Sequence, residues 1–357
     1  MLKKMKKKTN IGFIALAIIA IALLAITPAQ AVDFAISGQI NRAVMYADDG
    51  DTAKWFFVDN DNSSTRFRFT GSNDFDHDLS VGIVWEVEMQ SNPSNEMNMD
   101  LTGDTSDVTF NERKMEFYVG SPWGKAWLGQ GGMASDGTSE VDLSGTDVAA
   151  YSSVGDVGDG FEFQKNGVGT GITVGGSRSN FDGLSRKDRV RYDTPKFWGF
   201  HGSGSVGNSS IWDAALRYAG DFGWAKFAAA GGWSDYGTSS TTNDNIFSSS
   251  ASMLFDFGLN LTASYAYRKQ DNKDPYNIFG KVGYKFLEKH AASIQYSRTE
   301  NLSANDDKGD TFGIGYVFTP WKSVEFYGTY YLYMLDRDKG SDPDDINVFM
   351  AGGRVKF

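Results

Sequence analysis

Residues 79–90 alternate without a break: Leu79, Val81, Ile83, Trp85, Val87 and Met89 fall on one face, and Ser80, Gly82, Val84, Glu86, Glu88 and Gln90 on the other. A helix would scatter the six apolar residues around its circumference, so the repeat of two assigns a strand. The pattern returns in pairs along the chain. Residues 64–71 set Phe67 and Phe69 against Arg66 and Arg68, and the short polar link 72–78 joins them to the strand at 79. Two alternating runs around a short polar link form a hairpin.

Six more pairs follow. Their turns are 121–124, 195–198, 220–223, 256–258, 287–290 and 319–322, each flanked by alternating segments. With 35–46 at the front and 346–357 at the end, the count is 16 strands joined by seven tight turns. The other connections, 47–63, 91–111, 234–247, 269–276, 300–310 and 336–345, are longer and polar. Short links on one side and long ones on the other favour a membrane barrel over a soluble sandwich. Trp123, Trp198, Trp224 and Trp321 sit in or beside the short turns, where an aromatic belt meets the membrane interface. Lipid offers no partner to an open sheet edge, so a strand-only membrane protein must close on itself. The expected fold is all-β: a transmembrane antiparallel β-barrel of 16 strands with short periplasmic turns and long extracellular loops.

Residues 1–31 read as a removable leader. Lys3, Lys4, Lys6, Lys7 and Lys8 precede the apolar run 11–26, and Ala29-Gln30-Ala31 has the small-x-small form of a cleavage site. The run falls short of the roughly 20 residues a spanning helix needs. The barrel domain is then 32–357. Of 34 Lys+Arg the leader takes five, leaving 29 against 45 Asp+Glu and a net charge of −16. That balance argues against nucleic acid, whose phosphates need a cationic face. Without cysteine there is neither a disulfide nor a thiol metal site, and His77, His201 and His290 have no ligand spacing. No cofactor is expected, and no catalytic constellation points to an enzyme.

One connection breaks the rhythm: 132–187 is more than a surface loop needs. It carries Asp136, Glu140, Asp142, Asp147, Asp156 and Asp159, and its segments 161–165 and 169–176 suit an extra hairpin. If that hairpin spans the membrane, the barrel has 18 strands.

Over essentially all of 32–357 the chain resembles the trimeric general porins of Gram-negative outer membranes. Residues 64–71 (STRFRFTG) look like the family's second strand, and 118–130 (YVGSPWGKAWLGQ) like one of its hairpins. Residues 189–200 (RVRYDTPKFWGF) match a further family segment, and the last strand, with Val355 and Phe357, looks like its assembly signal. The resemblance implies a homotrimer in the outer membrane, inserted by the barrel-assembly machinery among lipid and lipopolysaccharide. It also implies that the long loop folds into the barrel, its acids facing a ladder of basic side chains. Gln130 and Gly131 stand where the family often has Arg then Gln, so one wall cation is missing. Lys114 fills a lumen position, whereas Arg113 does not if Met115, Phe117 and Val119 face lipid.

A barrel of this strand number leaves an aqueous channel, so small hydrophilic solutes and ions would cross by passive diffusion. Alternation places Arg42, Arg66, Arg68, Glu86, Glu88, Arg268, Lys281, Lys285, Arg354 and Lys356 on the inner wall. The alternative is a substrate-preferring channel for an anion, sugar or organic acid, with Tyr327, Tyr331 and Tyr333 beside the cations as a saturable site. The acidic runs 59–62 and 342–345 read as solvated loop tips or as divalent-cation sites beside lipopolysaccharide.

Overall fold

The computed structural model describes residues 33–104 and 109–357; the leader expected over 1–31 lies outside them. The segments are β1 (Asp33–Asp48), β2 (Ala53–Asp59), β3 (Arg66–Phe75), β4 (Leu79–Gln90), β5 (Thr109–Ser121), β6 (Gly124–Gly132), β7 (Glu162–Lys165), β8 (Val168–Thr173), β9 (Arg186–Asp193) and β10 (Phe200–Gly207). They continue as β11 (Trp212–Asp221), β12 (Ala225–Asp235), β13 (Asn243–Phe255), β14 (Leu259–Gln270), β15 (Tyr276–Phe286), β16 (His290–Glu300), β17 (Lys308–Trp321), β18 (Val324–Asp336) and β19 (Ile346–Lys356).

Neighbouring strands pair antiparallel around a ring that β19 closes on β1, from Gln39 opposite Lys356 to Asp48 opposite Asn347. The closing strand ends with Phe357 exchanging backbone hydrogen bonds with Gly38, at 2.9 and 3.0 Å. Gly38 suits that seat, because a Cβ there would lie 2.6 Å from the Phe357 ring. β1 pairs with β3 along its first half and with β2 along its second, so β2 and β3 are two halves of one crossing. The barrel therefore has 16 strands. β7 and β8 pair with each other outside the wall, which removes the count of 18.

The connection expected over 47–63 is much shorter. β2 carries Trp55 and Phe57 outward and Phe56 and Val58 inward, leaving a link of 49–52. The polar run that follows is a break in the wall at 60–65, where Asn60 reaches inward to donate to Val148 O at 2.8 Å. The acidic run 59–62 is thus neither a loop tip nor a surface cation site.

The seven tight turns gather at one end of the barrel with both described termini. Trp123, Trp198, Trp224 and Trp321 stand exposed there, Trp198 at 96%. Ile40, Ile83, Phe117, Leu128, Leu216 and Ile294 face outward along the strands. The largest apolar cluster lies inside the barrel, joining Met45, Phe56, Val58, Tyr331, Tyr333 and Val348 of the wall to Val148, Val157, Phe161 and Phe163 of the long loop.

Candidate pore lining and constriction

The inner faces of β3, β4 and β5 carry a dense charge cluster. Pairing sets Arg66 opposite Glu88 and Arg68 opposite Glu86. Arg68 donates through Nε to Glu86 at 2.6 Å, and Arg66 donates to Ser63 Oγ at 3.2 Å. Arg113 donates to Glu86 at 2.9 Å and pairs with Glu88 as well. Its direction corrects the sequence expectation. Glu86 pairs with Lys114 and Val87 with Glu112, so Arg113 is the extra residue of a β-bulge. A bulge re-aims side chains, and it turns Arg113 to the same side as Lys114. Of the four cations here, Arg68 and Arg113 hold the two carboxylates, with Arg66 and Lys114 beside them. Nearby, Arg189 pairs with Glu116, both side chains buried. Gly131 carries no side chain, and a Cβ there would meet the Glu116 carboxylate and, at 2.9 Å, Arg189 Nη2, so this ion pair fills the space.

The long loop 133–185 runs around the inside of the opposite wall. Ser135 N donates to Asp213 on β11 at 2.7 Å, Val141 N to Ser250 at 2.9 Å and Leu143 N to Ser252 at 3.0 Å, both on β13. Thr146 shares a hydrogen bond with Ser293 on β16 at 2.8 Å. Farther on, Tyr151 N donates to Tyr331 at 3.3 Å, and Tyr333 donates to Val154 O at 2.8 Å. Wall glycines permit the close approach: a Cβ at Gly315 would meet Ala150 Cβ at 2.6 Å. Sequence reasoning missed these anchors. Ser248, Ser250 and Ser252 repeat at a period of two, a readable signal of an inward row of small hydroxyls, but their partners, the Thr138 hydroxyl and the Val141 and Leu143 amides, are more than a hundred residues away.

The acids of this loop have separate fates. Asp142 pairs with Lys281 at 2.7 Å, both side chains buried, so each neutralises the other. Glu140 accepts from Tyr151 at 2.6 Å and Asn180 at 2.9 Å. Burial, then the neighbouring Asp182 carboxylate, push Glu140 up to about 8. Asp182 accepts from Gly137 N and Ser139 N, at 2.6 and 2.9 Å, and burial still lifts it to about 6. Burial also lifts Asp159 to about 6 against the opposing effect of Arg178, and lifts Asp156. Asp136 is half-buried and Asp147 exposed.

Arg42 lands elsewhere than expected, the tyrosine row is covered, and Arg268, Lys285, Arg354 and Lys356 keep the inner row. Arg42 lies on the outer face: it pairs with Gly353, in the same row as Ile40, Val44, Phe349 and Val355, which face outward. It donates to Ser91 O and Oγ at 2.8 and 2.7 Å, with Asp59 at 3.8 Å. Tyr327, Tyr331 and Tyr333 are sealed against the loop and the wall, so they form no ladder open to solute. Arg354 and Lys356 share Glu325 at 2.6 Å each, and Arg268 covers Phe181 at 5.1 Å. Lys285 lies beside Gly145 of the loop. The residues the structure does bring together are Arg66, Arg68, Glu86, Glu88 and Lys114, joined by Arg113.

A sequence model described as "Gram-negative porin" matches residues 15–338. The chain belongs to the Gram-negative porins. Such porins are outer-membrane channels, not enzymes, and the closed 16-stranded barrel agrees. Among solved structures, the anion-selective porin from Comamonas acidovorans is similar at a TM-score of 0.65 and 16% identity, over 92% of this porin and 100% of that chain. OmpT of Vibrio cholerae, in-vitro folded and in a trimer form, is similar at 0.57 and 16%, over 92% and 100%. A mutant of the Rhodopseudomonas blastica porin is similar at 0.56 and 12%, over 91% and 100%. No curated protein matches the chain in sequence.

Proposed function

We propose that this porin is a passive diffusion channel for small hydrophilic solutes and ions, with its constriction between the cations of β3–β5 and the acids of the inserted loop. The observation that carries the reading is the surplus of Arg66, Arg68, Arg113 and Lys114 over Glu86 and Glu88 on the uncovered sector of the inner wall. Charges lining a narrow aqueous path select by sign, and this sector favours anions, while Asp136 and Asp147 supply the opposing side. The saturable-site alternative loses its tyrosine ladder to the packing of the loop. The leader would direct export through the periplasm, the turn end would face that compartment, and Phe357 with Val355 would be read by the assembly machinery. The homotrimer rests on the trimer form of the Vibrio cholerae neighbour and on the outward Arg42. The loop end, including 342–345, would meet lipopolysaccharide.

Replacing Arg66 and Arg68 with Ala tests the constriction. In planar bilayers under a salt gradient the reversal potential should shift toward cation selectivity. An unchanged potential removes this sector from the constriction.

A further inference from the structure

At the turn end of the lumen, away from the charge cluster, β4, β5, β6, β9 and β10 line an open recess of about 650 Å³. Ser80, Lys125, Trp127, Asp193, Lys196 and His201 line it. In the strands these positions alternate with the outward Val81, Leu128, Tyr192 and Phe200, so the recess opens into the channel and not toward lipid.

Its charges are unevenly matched. Two acids line the recess: Asp78, exposed at the turn and without an ion pair among the described residues, and Asp193, which is occupied, accepting from Trp127 Nε1 at 2.9 Å and from Arg191 Nε at 2.8 Å, with His201 Nε2 4.0 Å away. Lys125 and Lys196 form no ion pair among the described residues. Lys125 instead sits over aromatic faces, 3.9 Å from the Tyr118 ring centre and 5.2 Å from that of Trp127. Ring faces hold an ammonium on one side and leave its remaining N–H donors free. Deeper in, Arg217 pairs across the sheet with His201, and its buried Nη1 has no partner.

We propose that this recess is a binding subsite for a small aromatic carboxylate. The carboxylate takes the free donors of Lys125 and Lys196, and the ring lies along Trp127 and the stem of Lys125. A mostly apolar recess with a few convergent charges suits an organic anion better than a bare inorganic one. The inference rests on the channel reading and adds a saturable step at the turn-end mouth.

Sodium benzoate, added to one compartment of an oriented single-channel recording, tests it. Block should saturate, and at lower concentration from the turn side than from the loop side, while sodium acetate blocks more weakly. Lys125→Met and Trp127→Leu should each raise the half-blocking concentration about tenfold, the factor of one lost contact of about 1.4 kcal/mol. Lys125→Arg, which keeps both charge and ring stacking, should retain the block and shows that the position tolerates change. Equal block from both sides, no preference over acetate, or wild-type block in Lys125→Met overturns the subsite. Inserted protein that conducts nothing overturns the channel reading instead.

Discussion

The two halves of the inner wall obey the same alternation and differ in everything else. From β13 to β19 most inward positions are serines, glycines, tyrosines and small apolar residues. Much of this wall lies under the loop, and charges on it such as Lys281 and Arg354 are paired. From β3 to β5 the inward positions are arginine, lysine and glutamate packed against one another, with Arg68 the most exposed of the ion-paired side chains. The covered half behaves like a soluble protein's core: Tyr331 and Tyr333 are fully buried and stacked at 5.6 Å, and loop amides meet hydroxyl partners. The open half keeps its charges because the ion pairs of Arg68 and Arg113 with Glu86 and Glu88 offset the cost of their partial burial. An inward position in a barrel is therefore not one environment. What stands on the other side decides whether it is core or pore.

The comparison breaks most visibly if the covered half is opened. Phe161 is fully buried and packs on Phe56, ring centres 5.7 Å apart. Truncating a packed aromatic costs about 3–5 kcal/mol, and an unpaired carboxylate in its place adds to that. Phe161→Asp should free the loop, raising single-channel conductance severalfold while moving the reversal potential less than the Arg66 and Arg68 double variant. Wild-type conductance would show that the loop does not narrow the path.

A milder lever acts on the loop itself. Glu140 holds its proton more tightly in the packed loop than its ordinary 4.5 allows, so packing gains most below that value and loses the gain as pH rises through about 8. Asp182, lifted to about 6, loosens in the same direction earlier. Open-channel current noise should grow between pH 6 and 8, and Glu140→Gln should flatten the upper part of that rise. Noise independent of pH in the native channel would mean that the loop is indifferent to these charges.

The barrel, its strand number and the position of its tight turns were legible because alternation and turn chemistry are local. So were Arg66, Arg68, Glu86 and Glu88, whose facing pairs follow from one hairpin. Arg113 was not, because a bulge leaves no mark in the residue pattern. The break at 60–65 was not either: Asp, Asn and Ser mimic a loop, although Trp55 and Phe57 announce a strand just before it. Arg42 was misplaced for a simpler reason. A charge suggested the lumen, while its row mates Ile40 and Val44 already named the outer face. The anchoring of the loop depends on contacts across a hundred residues and more, which no local pattern carries.

Arg42 also gives the smallest and most selective test. An arginine facing acyl chains costs from about 0–1 kcal/mol near the interface to about 2–4 at the midplane, and the bonds of Arg42 to Ser91 and its approach to Asp59 offset that cost in part. A second copy against this face would shield it further, so its position favours an assembly in which β1 is covered. Arg42→Leu should leave conductance and reversal potential unchanged, since the side chain lies outside the channel, and should lower the temperature at which trimers dissociate in detergent by a few degrees. Trimers of raised stability would mean that the residue meets lipid and that leucine suits it better. A shifted reversal potential would return Arg42 to the pore and undo the division between inner and outer rows on which the comparison stands.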